Sequence, residues 1–113
     1  MRAVRVPFMV VMTFLWIAQF ALAQQGDAKA GKDVFAKTCA LCHGADGNMP
    51  KEAVAKMLKA VIPQLGSSVV QAKTDEEIKK AITEGGIKMK PVKGLSDKDV
   101  RNVIAFVRTL KKA

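Results

Sequence analysis

Scarcity marks this chain of 113 residues. It holds two cysteines, Cys39 and Cys42, and one histidine, His43. A zinc site wants four protein ligands, usually cysteine and histidine. Here carboxylates would have to complete the set, an uncommon company for two thiolates. Two cysteines also leave no disulfide framework of the kind that braces small secreted domains. Tyrosine is absent, and the single tryptophan, Trp16, lies near the N-terminus. Without stacking aromatics or an arginine-rich stripe, nucleic acid is a poor partner. Long hydrophobic runs are missing too. The run from Val6 to Ala18, broken only by Thr13, is about 13 residues, short of the roughly 20 that a spanning helix needs.

That run follows Arg2 and Arg5 and precedes Ala21-Leu22-Ala23, a small-x-small pattern before Gln24. The layout predicts a secretory signal peptide over 1–23, hence an exported, periplasmic protein with no stable membrane insertion after cleavage. The competing reading is an uncleaved anchor, which the shortness of the run disfavours. Residues 24–113 then form one domain. A domain of that size has a thin core and commonly needs a staple or a cofactor. It carries 17 lysines and arginines against 10 acids, and 15 of those 17 are lysines scattered along the chain. Most read as a solvated coat, and a subset can steer an acidic redox partner.

What the chain does contain is Cys39-Ala40-Leu41-Cys42-His43, the spacing of a c-type haem attachment site. Two thiols can add across the vinyl groups of one haem, and His43 can set a ring nitrogen under the iron. On a helical turn the three share a face. A thiol–disulfide exchange site also uses two cysteines at this spacing, but on a βαβ frame, and no strand pattern surrounds this one. A local disulfide beside an idle histidine is the remaining alternative. One covalently bound haem c best uses all three residues.

The rest of the chain reads as short helices and loops. Asp27 caps a helix running toward the motif, with Ala30, Val34 and Phe35 on one face. Gly31 weakens that helix, so a close backbone contact is its expected purpose. Gly44 to Pro50 predicts a loop. Lys51 to Ala60 predicts a short helix with Val54, Met57, Leu58 and Val61 at helical spacing. Ile62 to Val70 is looser. Thr74 and Glu77 form a capping box for a helix that turns Ile78, Ala81 and Ile82 inward and ends at Gly85-Gly86. Ser96 caps the last helix, with Asp97 and Asp99 in its first turn and Lys111 and Lys112 expected in its last. Val100, Val103, Ile104, Val107 and Leu110 form its apolar stripe, with Phe106 beside it.

Iron held by one histidine has a sixth position, filled for electron transfer or open for small molecules. Met49 lies six residues after His43, a short reach around a flat macrocycle. Met57 falls in an apolar stripe, where methionine usually packs. Met89 lies in a later loop between Gly86 and Pro91 and is the favoured ligand, with lysine at high pH an alternative. If no side chain binds, a gas-binding or peroxidase-like protein results. A third reading is a haem subunit of a larger oxidoreductase.

Over residues 24–113 the chain resembles the class I monohaem cytochromes c of bacteria. The resemblance is carried by Gly31-x-x-x-Phe35 ahead of Cys39-Ala40-Leu41-Cys42-His43-Gly44, by Met89 in a late loop, and by Leu95-Ser96-Asp97 opening a terminal helix with Phe106 and Leu110. Lys90 separates Met89 from Pro91, where many members have the pair adjacent. The resemblance implies an all-α fold of three to four short helices around one haem, with first and last helices crossing closely. Gly31 and Phe35 would form one side of that crossing, Phe106 and Leu110 the other. It also implies an electron carrier rather than an enzyme. The second nitrogen of His43 would donate to a carbonyl near a proline, either Pro50 or Pro63. Lys51, Lys88, Lys90 and Lys93 would ring the exposed haem edge.

Overall fold

A computed structural model describes residues 26–112. The expected signal peptide therefore lies outside the described residues. Six helices follow one another: α1 Ala28–Thr38, α2 Ala40–His43, α3 Glu52–Leu58, α4 Ser68–Gln71, α5 Asp75–Glu84 and α6 Asp97–Thr109. The fold is all-α, and there is no strand among the described residues. Four of the helices match those anticipated. The other two, α2 and α4, are single turns. Such turns give little periodic signal and depend on what they pack against.

Capping decides where the longer helices begin. Asp27 accepts from the backbone N–H of Lys29 and Ala30 to open α1. Thr74 with Glu77 and Ser96 with Asp99 form reciprocal capping boxes on α5 and α6. Each satisfies N–H groups that the first turn leaves without helical partners. Helix α5 stops at Gly85, whose φ of 82° suits a residue without a Cβ. Helix α6 stops at Thr109, so its last-turn cation is Arg108 rather than Lys111 or Lys112. The Lys112 backbone N–H instead reaches the Gly66 carbonyl at 3.1 Å.

The core forms where α1 lies across α6. Phe35 and Phe106 meet with ring centroids 5.1 Å apart at 58°. Val100, Val103, Ile104 and Val107 of α6, Ile78 and Ile82 of α5 and Val70 of α4 complete it. Gly31 lies at the crossing itself: a Cβ there would overlap the Asn102 carbonyl of α6. The contact predicted for this glycine is therefore present. Asn102, buried in the same place, accepts from the Asp27 N–H at 2.8 Å and ties the start of α1 to α6.

One expectation needs correction. Met57 and Val61 do not pack into the core: they are 74% and 94% exposed. Helix α3 ends at Leu58 with Lys59 in the left-handed region, so Val61 has left the helical register. Neither α2 nor α3 contributes a fully buried residue. The core, which includes Cys39, leaves Leu41, Met49, Met57, Val61, Val69 and Ile87 exposed. No helix among the described residues is long and apolar enough to cross a membrane.

Candidate haem site

The motif occupies the bend between α1 and α2. Cys39 ends α1, and its carbonyl accepts from the N–H of both Cys42 and His43, at 3.2 and 3.1 Å. One tight turn thus joins the three residues, as their spacing predicts. Gly44 follows with φ 81°, close against the Met49 carbonyl. The Lys51 N–H returns to the Cys42 carbonyl at 3.0 Å. The intervening loop is thereby rooted on the motif at both ends.

The two thiols differ in setting. Cys39 is buried and Cys42 half-buried, and neither is in a disulfide. Burial pushes the Cys39 thiol up from its ordinary value, while the Thr38 hydroxyl, 3.3 Å away, opposes that shift. A neutral thiol is the form that the apolar surroundings favour. His43 has its pKa lowered, chiefly by burial, with the Pro63 carbonyl acting the other way. A neutral imidazole is the form a metal requires. Nδ1 is buried without a partner in full hydrogen-bond geometry. The Pro63 carbonyl thus influences the ring without completing a bond.

Met89 sits in a loop built on the end of α5. The Gly86 N–H donates to the Met89 carbonyl at 2.9 Å, and the Val92 N–H donates to the Ile82 carbonyl at 2.8 Å. Val92 packs against the core, so the loop is held on both sides of Met89, which is half-buried. Met49 is 72% exposed, in an Asx turn made by Asp46. Because Met57 is exposed as well, packing does not remove it from the ligand candidates. What distinguishes Met89 is its half-buried place on an anchored loop.

These residues fit a haem. Two unpaired thiols and a neutral imidazole lie within one turn, and the imidazole has a buried nitrogen in want of an acceptor. Leu41 within the motif and Met49 and Met57 shortly after it are large apolar side chains left exposed. Among the described residues no group of three or more His, Cys, Asp or Glu could hold a metal ion.

Three polar side chains of consequence escape sequence reasoning. Asn48 accepts from the Gly66 N–H at 2.8 Å and donates to the Leu110 carbonyl at 3.3 Å. Gln71 donates to the carbonyls of Leu65 and Val107, both at 2.9 Å. Arg108 donates to the Gln71 and Lys73 carbonyls and to the Asp75 carboxylate. Their partners lie 6 to 62 residues away in sequence, and an isolated Asn or Gln announces none of them.

Residues 26–107 match the family described as cytochrome c oxidase, cbb3-type, subunit III. A solved structure titled KustC0563 c-type cytochrome is similar at 33% identity and a TM-score of 0.62, over 73% of this chain and 98% of that one. A point mutant of Kustc0563 is similar at 36% identity and a TM-score of 0.58, over 72% and 98%. No curated protein matches the chain. With the helical fold and the haem-suited turn already in place, these likenesses show that the chain belongs to the cbb3-type subunit III family of cytochrome c domains and is a small monohaem cytochrome c.

Proposed function

We propose that the protein is an exported, periplasmic carrier of single electrons, using one haem c bound through Cys39 and Cys42 and ligated by His43 and Met89. The observation that carries this reading is the turn from Cys39 to His43, with both thiols outside any disulfide and His43 Nδ1 buried beside them. When bound, the haem supplies an iron that alternates between ferrous and ferric states, and a methionine ligand raises its potential relative to two histidines. The chain's own residues supply position. Cys39 and Cys42 would hold the group covalently, and His43, on the turn, and Met89, on the anchored loop, would hold its iron. Ligands held in both oxidation states keep rearrangement small, and the function needs no substrate pocket.

The visible and near-infrared spectra of the purified protein test this. Met89→Ala is expected to abolish the methionine-to-ferric-iron charge-transfer band, while Met49→Ala and Met57→Ala retain it. Loss of the band in either of the latter instead would show the ligand assignment to be wrong.

Lys51, Lys88, Lys90 and Lys93 are all exposed and flank the motif and the Met89 loop. They form the docking ring for an acidic redox partner. Electron exchange with that partner should slow about tenfold between low and half-molar salt, as screening shortens to a few ångströms. A rate indifferent to salt would remove the docking role. The family description favours a second reading, a haem subunit of a larger oxidase. Purification with a larger polypeptide under mild conditions would establish it.

A further inference from the structure

We propose that Gly85 is a positioning residue for Met89: its bare Cα at the end of α5 is the surface on which the Met89 carbonyl and the Pro91 ring rest, and so it sets where the methionine stands. This rests on the Met89 ligation proposed above.

Gly85 meets two separate demands. The first is local. It ends α5 with φ 82° and ψ 172°, a backbone region that essentially only glycine occupies. Stopping the helix asks no more than that. The second demand comes from the chain that returns over it. A Cβ on Gly85 would lie 2.6 Å from the Met89 carbonyl oxygen and 3.0 Å from both the nitrogen and the Cδ of Pro91. Two of these are backbone atoms and the third belongs to a closed ring, so none can swing aside. The neighbouring glycine is under no such pressure: a Cβ on Gly86 would meet only the Met89 Cβ, at 3.9 Å.

The carbonyl that Gly85 admits is also the one that holds Met89. It accepts from the Gly86 N–H at 2.9 Å, and a little further on the Val92 N–H donates to the Ile82 carbonyl at 2.8 Å. Ile82 is buried, and Val92 packs against the core. Residues 89–92 therefore cross back over the last turn of α5 with both ends tied to it. Pro91 stiffens the crossing, because it fixes its own φ and biases Lys90 toward extended backbone. The spacing Met89-Lys90-Pro91 gains a reason here. With one residue between methionine and proline, the Met89 carbonyl meets the Gly86 N–H while the Pro91 ring lies against Gly85. A Cβ on Gly85 would push that carbonyl off its donor, and Met89 would move with it. Glycine has no side chain to offer a metal, so any effect on ligation passes through Met89.

Added imidazole can enter the sixth position only while Met89 is away from it, so its apparent affinity reports that fraction. In the haem-loaded protein, Gly85→Ala is expected to bind imidazole about tenfold more tightly than the parent, with a weakened methionine-to-ferric-iron band. The Gly86 N–H should exchange with deuterated water about tenfold faster. Gly94→Ala is the control. Gly94 shares the φ of 82°, but a Cβ there meets nothing within 4 Å. That substitution strains the backbone of the same loop without crowding Met89 or Pro91, and both readouts should stay within about twofold of the parent. If Gly85→Ala yields no holoprotein, Pro91→Ala decides. It removes the ring from the same contact, leaves the helix stop intact, and should tighten imidazole binding by about threefold. Changes no larger than those of Gly94→Ala reduce Gly85 to a helix stop and overturn the positioning role. A parent without the methionine band overturns the ligation reading and this inference with it, whereas a parent that has the band while its variants stay unmoved overturns this inference alone.

Discussion

Gly31→Ala should cost the holoprotein more than about 3 kcal/mol of unfolding free energy, out of the roughly 5–15 kcal/mol that such domains possess. Two effects compete. Alanine is intrinsically better than glycine inside a helix by about 1 kcal/mol, so propensity alone predicts a gain. Against it, the new methyl group would overlap the Asn102 carbonyl and come within 2.9 Å of the Val103 nitrogen. Both are backbone atoms in the middle of α6, and neither can rotate aside. Relief requires α1 and α6 to part, which loosens the 5.1 Å contact between Phe35 and Phe106 and the packing of the fully buried Val103. Overpacking of this kind alone costs about 1–3 kcal/mol, and the lost aromatic and aliphatic contacts add to it. Gly86→Ala is the companion variant. A methyl there meets only the Met89 Cβ at 3.9 Å, ordinary contact distance, and the change should stay within about 0.5 kcal/mol of the parent. Denaturant melts of both variants decide the matter. A Gly31→Ala protein as stable as the parent would mean that the helices do not cross at this residue.

The double substitution Cys39→Ser and Cys42→Ser should leave no haem on the polypeptide after denaturation and acid–solvent extraction, where the parent retains it all. Each thioether needs its own sulfur, and these are the only two cysteines in the chain. The loss should reach beyond colour. The core draws its buried side chains from α1, α4, α5 and α6, while α2 and α3 bury none fully. Leu41, Met57, Val61 and Ile87 stay exposed. At about 25 cal/mol per Å², covering even part of that surface with a large apolar group is worth several kcal/mol to a small domain. The serine variant should therefore melt at least about 10 °C below the parent. Haem retained through extraction would show that attachment uses other atoms and would withdraw the account of this site.

The features legible in the amino-acid order are those written in short spacings. The turn that gathers Cys39, Cys42 and His43, the capping boxes at Thr74 and Ser96, the glycine stop at Gly85 and the apolar stripe of α6 all depend on residues within four positions of each other. Gly31 is legible for a related reason: a glycine inside a helical pattern implies something close by, even when the neighbour cannot be named. Met57 and Val61 show where such reasoning fails. Their spacing fits a helical stripe, but a stripe becomes core only when another element lies against it, and none does here. The one-turn helix α4 gives no signal because its stability comes from packing.

Residue order alone thus dictated the attachment turn, the capped starts of α1, α5 and α6 and the need for a close approach at Gly31, since backbone hydrogen bonding and capping act between near neighbours. Only the folded chain decided that Asn102 is what Gly31 meets and that Asn48 and Gln71 tie the Leu65–Gly66 segment to the end of α6. Those pairings join residues up to 71 positions apart. Their energy depends on distances that arise once α1 and α6 have packed, and a linear pattern holds no record of them.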